Sequence, residues 1–367
     1  MLIRLYANNF RCLENFEFKT NKLTSLLVIG ANGSGKTTAT DVLEIFQKIG
    51  RGVSRLRELL SPRDFSYGKT TLPMNLELTA RIDGHLYTYQ LILELPPDFR
   101  EIRIHEENLQ CQGETLYSRK LAQVNLARTN KEASFSVDWH LVALPIIQVS
   151  SDGDPLRRFR DWLARMIILA PCPYEMTGES DGETLEPDKR GKDFANWFTG
   201  LLARYPAAYR EIDEQLRSIM PDISDIYNEP TGKNSKNIIA RFLANECYFS
   251  TSFRALSDGE KCFFLLATTL AASKYCGPLL CVWDEPDNYL SLAEVGHFIV
   301  SLRRQFGRDG QFIATSHNEE TIRKFSNENT VIFSRNSHLE PTRVQWASEL
   351  PIHGSLVENI KLGGLAQ

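Results

Sequence analysis

The chain has 367 residues, a formal net charge of −4, and 42% hydrophobic and 24% charged residues. That balance excludes a disordered chain and a polycation made for nucleic acid, while the length allows two or three domains around sizeable cores. Its 7 cysteines are scattered, with no CxxC and no cysteine–histidine cluster, which excludes a zinc ribbon and points to a reducing, cytoplasmic setting.

The start, MLIRLYANNF, lacks the apolar core and small cleavage residues of a secretory leader, and no apolar stretch is long enough to cross a bilayer. Residues 2–10 and 16–19 alternate, and 24–29 are continuously apolar, as in a strand buried on both faces. A glycine-rich turn follows, then residues 36–49, with Val42, Leu43, Ile45, Phe46 and Ile49 at helical spacing. Residues 51–63 form a basic connection. Residues 75–82 and 85–93 alternate on either side of Asp83-Gly84, a two-residue hairpin signal. Shorter strand-like pieces at 102–104, 109–117 and 135–137 extend an antiparallel sheet across residues 70–140.

From 155 to 220 the period becomes helical, with Phe194, Trp197, Phe198, Leu201 and Leu202 on one stripe. Residues 177–193 interrupt it with a polar, Gly-containing stretch expected to be a mobile loop. Residues 237–253 read as a hairpin. A helix then begins near Ser257, followed by an apolar strand at 278–283, a helix at 292–306, an apolar strand at 311–315 and a last strand near 331–333. Continuous apolar strands alternating with helices imply a mostly parallel sheet with crossover helices.

Gly30-Ala31-Asn32-Gly33-Ser34-Gly35-Lys36-Thr37 matches GxxxxGK[ST] in full, between an apolar strand and a helix. Glycines let backbone N–H groups turn inward around phosphates, and the helix presents its positive N-terminus to them. Lys36 is expected on the β- and γ-phosphates, the Thr37 hydroxyl on Mg²⁺, and Asn32, Ser34 and Thr38 around the same anion. Asp284 and Glu285 end the apolar strand 279–284. A strand end of a parallel sheet faces the ligand crevice. Asp284 is expected to hold Mg²⁺ through water and Glu285 to activate the attacking water.

Leu256-Ser257-Asp258-Gly259-Glu260 stands before an apolar helix. A serine hydroxyl and a free helix N-terminus suit a γ-phosphate. Because the chain's own glycine loop already cradles that phosphate, Ser257 and Gly259 are more useful to a second copy's nucleotide; a capped helix start is the alternative. His317, after the strand 311–315, is placed to sense the γ-phosphate, or else merely to cap a turn.

These motifs, with Asn9-Phe10-Arg11-Cys12, the segment FRDWLARMIIL and Asp284-Glu285-Pro286-Asp287-Asn288, resemble the OLD/RecF/SMC-like branch of ABC ATPases, specifically its short stand-alone bacterial members. The resemblance implies an α/β P-loop NTPase, an ABC-type head with a mostly parallel core sheet, an antiparallel β subdomain and a helical insertion. Residues 1–145 and 236–367 would be the halves of the ATPase lobe, and 150–235 the insertion. It further implies that ATP and Mg²⁺ are the cofactors, that Arg11 lies near the nucleotide, and that two copies complete each other's sites head to tail, in a homodimer or higher oligomer. The SALD segment of transporter ATPases is absent, with Tyr289-Leu290-Ser291 in its place, which argues against a transporter subunit. Gln148 is the candidate Q-loop glutamine, or else a surface loop residue.

Residues 318–367 cannot hold a nuclease domain like that of OLD proteins, so a nuclease is expected on a separate chain. Relatives of this kind act in anti-phage defence, holding or releasing a toxic effector (a nuclease or toxin), or in DNA repair in the manner of RecF. The expected function is therefore an ATP-driven switch that scaffolds an effector, with a RecF-like DNA-binding ATPase as the alternative. Arginine groups at 51, 55, 57 and 63, at 157, 158, 160 and 165, and at 303, 304 and 308 are solvated helix faces or protein contacts before they are a DNA surface.

Overall fold

The computed structural model describes residues 1–128, 131–149, 151, 153–233, 235–350 and 356–361. In chain order the elements are β1 (Leu2–Asn8), β2 (Phe16–Lys19), β3 (Ser25–Ile29), α1 (Lys36–Gly50), α2 (Leu56–Leu59), β4 (Met74–Ile82), β5 (His85–Glu94), β6 (Arg103–Cys111), β7 (Glu114–Lys120), β8 (Gln123–Arg128) and β9 (Lys131–Ser136). There follow α3 (Pro155–Ala164), β10 (Ile167–Leu169), β11 (Glu179–Ser180), α4 (Phe194–Arg204), α5 (Ala208–Ile219), β12 (Ile223–Pro230), β13 (Lys236–Ala244), β14 (Cys247–Ser252) and α6 (Asp258–Tyr275). The chain ends through β15 (Leu279–Asp284), α7 (Leu292–Asp309), β16 (Gly310–Thr315), α8 (Glu319–Arg323), β17 (Thr330–Ser334), β18 (Arg343–Trp346) and α9 (Leu356–Lys361). Two compact units result, Met1–Met166 with Phe325–Gln367, and Ile167–Lys324.

In the first unit an eight-stranded antiparallel sheet runs in the order β2-β1-β4-β5-β6-β7-β8-β9. Alternation sets one face: Leu76, Leu78, Tyr87, Tyr89, Leu91 and Leu93 are all fully buried. Asp83 and Gly84 take positive φ of 48° and 82°, which makes the tight β4–β5 turn. α1 and α3 supply the matching apolar stripe. Phe159 stacks on Tyr87 with centroids 5.5 Å apart, and Phe46 meets Tyr89 edge-on at 5.6 Å, contacts worth about 0.5–1.5 kcal/mol each beyond their buried area. α1 is also tied to the segment just after α3 by Gln47 Nε2 donating to the Met166 carbonyl at 2.6 Å. The wholly buried β3 lies parallel to β17. Beyond β17 the chain makes one strand more than the sequence suggested, β18, antiparallel to β17. β18 is short and half exposed, so it carries no continuous apolar run to betray it.

A buried polar hub closes this sheet. Glu107, fully buried, accepts hydrogen bonds from the Tyr89 and Tyr117 hydroxyls at 2.9 and 2.7 Å and from the Ala143 and Leu144 amides at 2.8 and 3.0 Å. Arg119 Nη1 stands 3.5 Å from the same carboxylate and donates to the carbonyl of Leu141 at 2.5 Å, while Nη2 donates to Asp138 at 2.8 Å. The sheet is thereby fastened to the segment that leads to Gln148. Burial, then the Glu107 charge, pushes the Tyr89 and Tyr117 hydroxyls well above the ordinary phenol range.

In the second unit β10, β15 and β16 are parallel neighbours, and β12, β13 and β14 form an antiparallel sheet joined by β11. α6 is buried from Lys261 to Ser273, as a helix that is apolar on most sides must be. Phe253 stacks on Phe194 at 4.8 Å and meets Phe264 edge-on at 5.5 Å, which joins α4 to α6. The stretch 150–235 holds α3, α4 and α5, and also β10, β11 and β12. Residues 177–193 are irregular except for β11, but they are fastened at several points. Glu179 and Ser180 pair with Asn237 and Lys236, the Thr184 amide donates to the Asn196 carbonyl at 3.1 Å, and the Asp188 amide donates to Asp193 at 2.8 Å. The composition announced a loop, but partners remote in sequence hold it. No helix among the described residues is long and apolar enough to cross a membrane.

Candidate nucleotide site

In the first unit the glycine loop leaves β3 and opens α1. Gly30 has no room for a side chain, since a Cβ there would stand 2.1 Å from the Phe333 carbonyl oxygen of β17. Gly35, the N-cap of α1, sits at φ 103°, and its Cβ would meet Thr342 Oγ1 at 2.3 Å. No acidic residue lies in the first turn of α1, so its positive end is left for an anion. Lys36 is buried, and its Nζ donates to the carbonyls of Gly30 and Ala31 at 2.6 and 3.3 Å. The ammonium therefore lies across the mouth of its own loop. Asn32, Gly33 and Thr37 are exposed, Thr38 is half-buried and Ser34 is buried.

The loop is buttressed by residues that the sequence did not single out. Arg335 Nη1 donates to the Gly33 carbonyl at 2.8 Å, with its other nitrogens on the carbonyls of His338 and Glu340. Thr342 Oγ1 donates to the Ser34 carbonyl at 2.9 Å. Both residues lie some 300 positions from the loop they hold, so no local pattern could flag them. Arg11 sits at φ 47° and forks between Asp41 of α1 at 2.5 Å and Asp64 at 2.7 Å. Burial works to lower its pKa, but the hydrogen bonds and charges of Asp64 and Asp41 outweigh this and raise it. Arg11 thus braces the flank of α1. Gln148 is exposed.

In the second unit β15 delivers Asp284 and Glu285. Thr315 Oγ1, at the end of the neighbouring β16, donates to Asp284, and the Glu285 amide donates to Thr315 at 3.1 Å. Glu285 takes φ 52°, a left-handed conformation that is unusual for a non-glycine residue and costs of order 1–3 kcal/mol. That turn brings its carboxylate to His317, with Nε2 to Oε1 at 2.7 Å, while Asn288 Nδ2 donates to Oε2 at 2.7 Å. Asp287 is buried and accepts from Ser316 Oγ and, at 2.6 Å, from Thr321 Oγ1, so it ties the glutamate loop to the histidine loop. The structure thus brings Asp284, Glu285 and His317 together. Thr315, Asp287 and Asn288, which the sequence left without roles, hold them there. Asp287 and Asn288 stood inside a quoted motif, whereas Thr315 was hidden in an apolar strand.

Ser257 caps α6 through a capping box. Its Oγ donates to Glu260 at 2.7 Å and accepts from the Glu260 amide at 3.3 Å. Ser257 and Asp258 are nonetheless exposed. Gly259 faces the following loop, where a Cβ would stand 3.1 Å from the Tyr289 carbonyl oxygen. The donors proposed for magnesium, the Thr37 hydroxyl and the Asp284 carboxylate, are hard oxygens and suit Mg²⁺. No cluster of three or more His, Cys, Asp or Glu that could hold a metal exists among the described residues.

The chain itself matches a known family over most of its length. The model described as "AAA domain, putative AbiEii toxin, Type IV TA system" covers residues 26–323. The chain belongs to this AAA-domain family. Solved structures show the same fold. An Smc head bound to the C-terminal winged-helix domain of ScpA aligns with a TM-score of 0.59 at 14% identity, over 95% of this chain and 99% of that one. An Smc head with an extended coiled coil, bound to the C-terminal domain of ScpA derived from Pyrococcus furiosus, aligns at 0.55 and 13% identity, over 99% of this chain and 98% of that one. An OLD nuclease of Thermus scotoductus (strain ATCC 700910 / SA-01) is 36% identical over 83 residues, which span 23% of this chain and 15% of the nuclease. The AAA-domain family member thus has the α/β fold of the Smc heads.

Proposed function

We propose that the chain binds MgATP and hydrolyses it slowly at composite sites of a head-to-tail dimer, as a switch that scaffolds a separate effector in anti-phage defence. The observation that carries this reading is Glu285. A carboxylate held in a strained turn, beside Asp284 and hydrogen-bonded to His317 at 2.7 Å, suits activation of a water and sensing of a γ-phosphate. The Gly30–Thr37 loop binds the phosphates through its amides, with Lys36 moving from its own carbonyls to the β- and γ-phosphates. Thr37 and Asp284 hold Mg²⁺, which supplies charge neutralisation at the phosphates. Exposure of Ser257 at the start of a long buried helix leaves it available to a second copy's nucleotide.

The effector reading draws on the family description, which names a toxin and a type IV toxin–antitoxin system. The DNA-repair alternative draws less support from the arginine groups. Arg157 pairs with Asp161 and Arg158 with Asp83, while Arg51 and Arg160 are turned to the Ala164 and Ile147 carbonyls, so these four are directed to partners within the chain.

The test is Glu285→Gln. The phosphate cradle survives while water activation is lost, so the variant is expected to retain ATP and to double its nucleotide-free mass on adding MgATP, measured by light scattering with nucleotide quantified in the peak. Nucleotide retained with no gain in mass over the nucleotide-free protein refutes composite sites. Lys36→Ala is expected to lose about 10- to 100-fold in ATP affinity, the value of one charge-assisted contact to phosphate, and parental affinity refutes the phosphate assignment.

A further inference from the structure

The hairpin β13–β14 is closed by Asn245 and Glu246, both at positive φ, 48° and 65°. Such a two-residue turn fixes which backbone groups are already used. Ala244 opposes Cys247, Phe242 opposes Phe249 and Ala240 opposes Thr251. The pair flanking a two-residue turn exchanges both hydrogen bonds, and alternate pairs do so thereafter. Cys247, Phe249 and Thr251 therefore turn their N–H and C=O groups to β13. Tyr248, Ser250 and Ser252 turn theirs the other way, where no further strand pairs with β14 among the described residues.

Exposed edges are ordinarily guarded by charge, proline, a bulge or shortness. β14 has the sequence CYFSTS, with no charge and no proline, and its register with β13 runs without a shift. Two large aromatic residues on it, Tyr248 and Phe249, point to opposite faces and are 68% and 65% exposed. An unguarded edge with aromatic residues on both faces is a pairing surface.

We propose that a second copy of this chain occupies this edge, with β14 pairing antiparallel to its own counterpart about a two-fold axis at Ser250. Three features select the second copy and this register. Ser250 then faces Ser250 of the partner subunit and Tyr248 faces the partner's Ser252, so every outward-facing backbone group meets another outward-facing group. Phe249 falls opposite the partner's Thr251 in a close, non-hydrogen-bonded pair, an aromatic–β-branched contact of a favourable kind. Glu246, just before the strand, falls opposite the partner's Arg254, just after it. Both are exposed, and neither has an ion-pair partner of its own among the described residues. Moving the register by two residues keeps the backbone parity but loses the charge match. The contact is isologous and involves no nucleotide. It is therefore distinct from the ATP-dependent contact proposed above, and the two together build an assembly larger than a dimer.

The test uses the full chain without nucleotide. Light scattering at micromolar concentration is expected to give twice the 41.8 kDa chain mass, and Ser250→Pro, which removes an outward N–H, is expected to halve it. Since proline could impair folding, a second variant is read independently. Ser250→Cys in a Cys247→Ser background places two cysteines across the axis at ~5.5 Å between Cα atoms, inside the ~4.4–6.8 Å range of disulfides. It is expected to give an intermolecular disulfide on mild oxidation, seen on a non-reducing gel. Ser252→Cys in the same background is the control, because its two copies would stand ~14 Å apart and remain unlinked. Glu246→Arg is expected to weaken the dimer and Glu246→Arg with Arg254→Glu to restore it. A monomeric parent chain, a dimer that Ser250→Cys fails to cross-link, or equal cross-linking at 250 and 252 overturns the proposal.

Discussion

Replacing Glu107 by glutamine exchanges one carboxylate oxygen for an NH₂ group in a fully buried polar cluster of the first unit. Oε1 accepts from Tyr89, Tyr117 and the Leu144 amide, while Oε2 accepts from the Ala143 amide and faces Arg119. The amide oxygen of a glutamine keeps most partners in the Oε1 position, so its NH₂ group would point at two donors. An unmet buried donor costs about 1–3 kcal/mol. Breaking a buried ion pair from one side costs about 3–5 kcal/mol. Arg119 keeps its carbonyl partners at Leu121, Asp138 and Leu141, which holds the total near the lower figure. A loss of about 3 kcal/mol corresponds to a fall of about 6–12 °C in Tm, at about 2–4 °C per kcal/mol for a unit of this size. Differential scanning calorimetry on parent and variant measures it directly. A fall below about 2 °C would refute the reasoning, because it would mean that the carboxylate contributes no more than a surface group.

Gly35→Ala places a Cβ against Thr342 at a backbone angle of φ 103°, and is expected to distort the loop and to weaken ATP binding at least as much as Lys36→Ala, measured by calorimetric titration. The cysteines should separate by burial: alkylation mapped by mass spectrometry is expected to label the exposed Cys247 first. Cys262, whose thiol burial pushes up to about 12, and Cys281, fully buried and pushed higher still, should react only on unfolding. Tyr89 and Tyr117 hold their phenolic protons more tightly folded than unfolded, so the stability they contribute is intact below about pH 10, their ordinary value, and is lost as pH rises further. Absorbance at the tyrosinate band during an alkaline jump is expected to show a fraction that ionises only at the rate of unfolding; ionisation of all tyrosines within the mixing time would contradict the hub.

Much of this protein could be read along the chain, because its signals are local. A continuous apolar run ending in glycine is β3 wherever it folds, the alternation on both sides of Asp83-Gly84 is a hairpin, and the Gly30–Thr37 pattern specifies a loop by its own backbone requirements. Asp284, Glu285 and His317 were likewise marked by standing at the ends of apolar strands. What holds those residues was not legible. Thr315 on Asp284, Asn288 on Glu285, and Arg335 and Thr342 on the glycine loop act through hydrogen bonds between segments, and such bonds leave no period or spacing in the sequence. Neither Glu107 nor Arg119 could be told from a solvated strand residue until the sheet closed over both. The left-handed turn at Glu285 is the sharpest case: sequence fixed the carboxylate's position in the chain, but only the packed strand ends and the Asp287 clamp decide where it points.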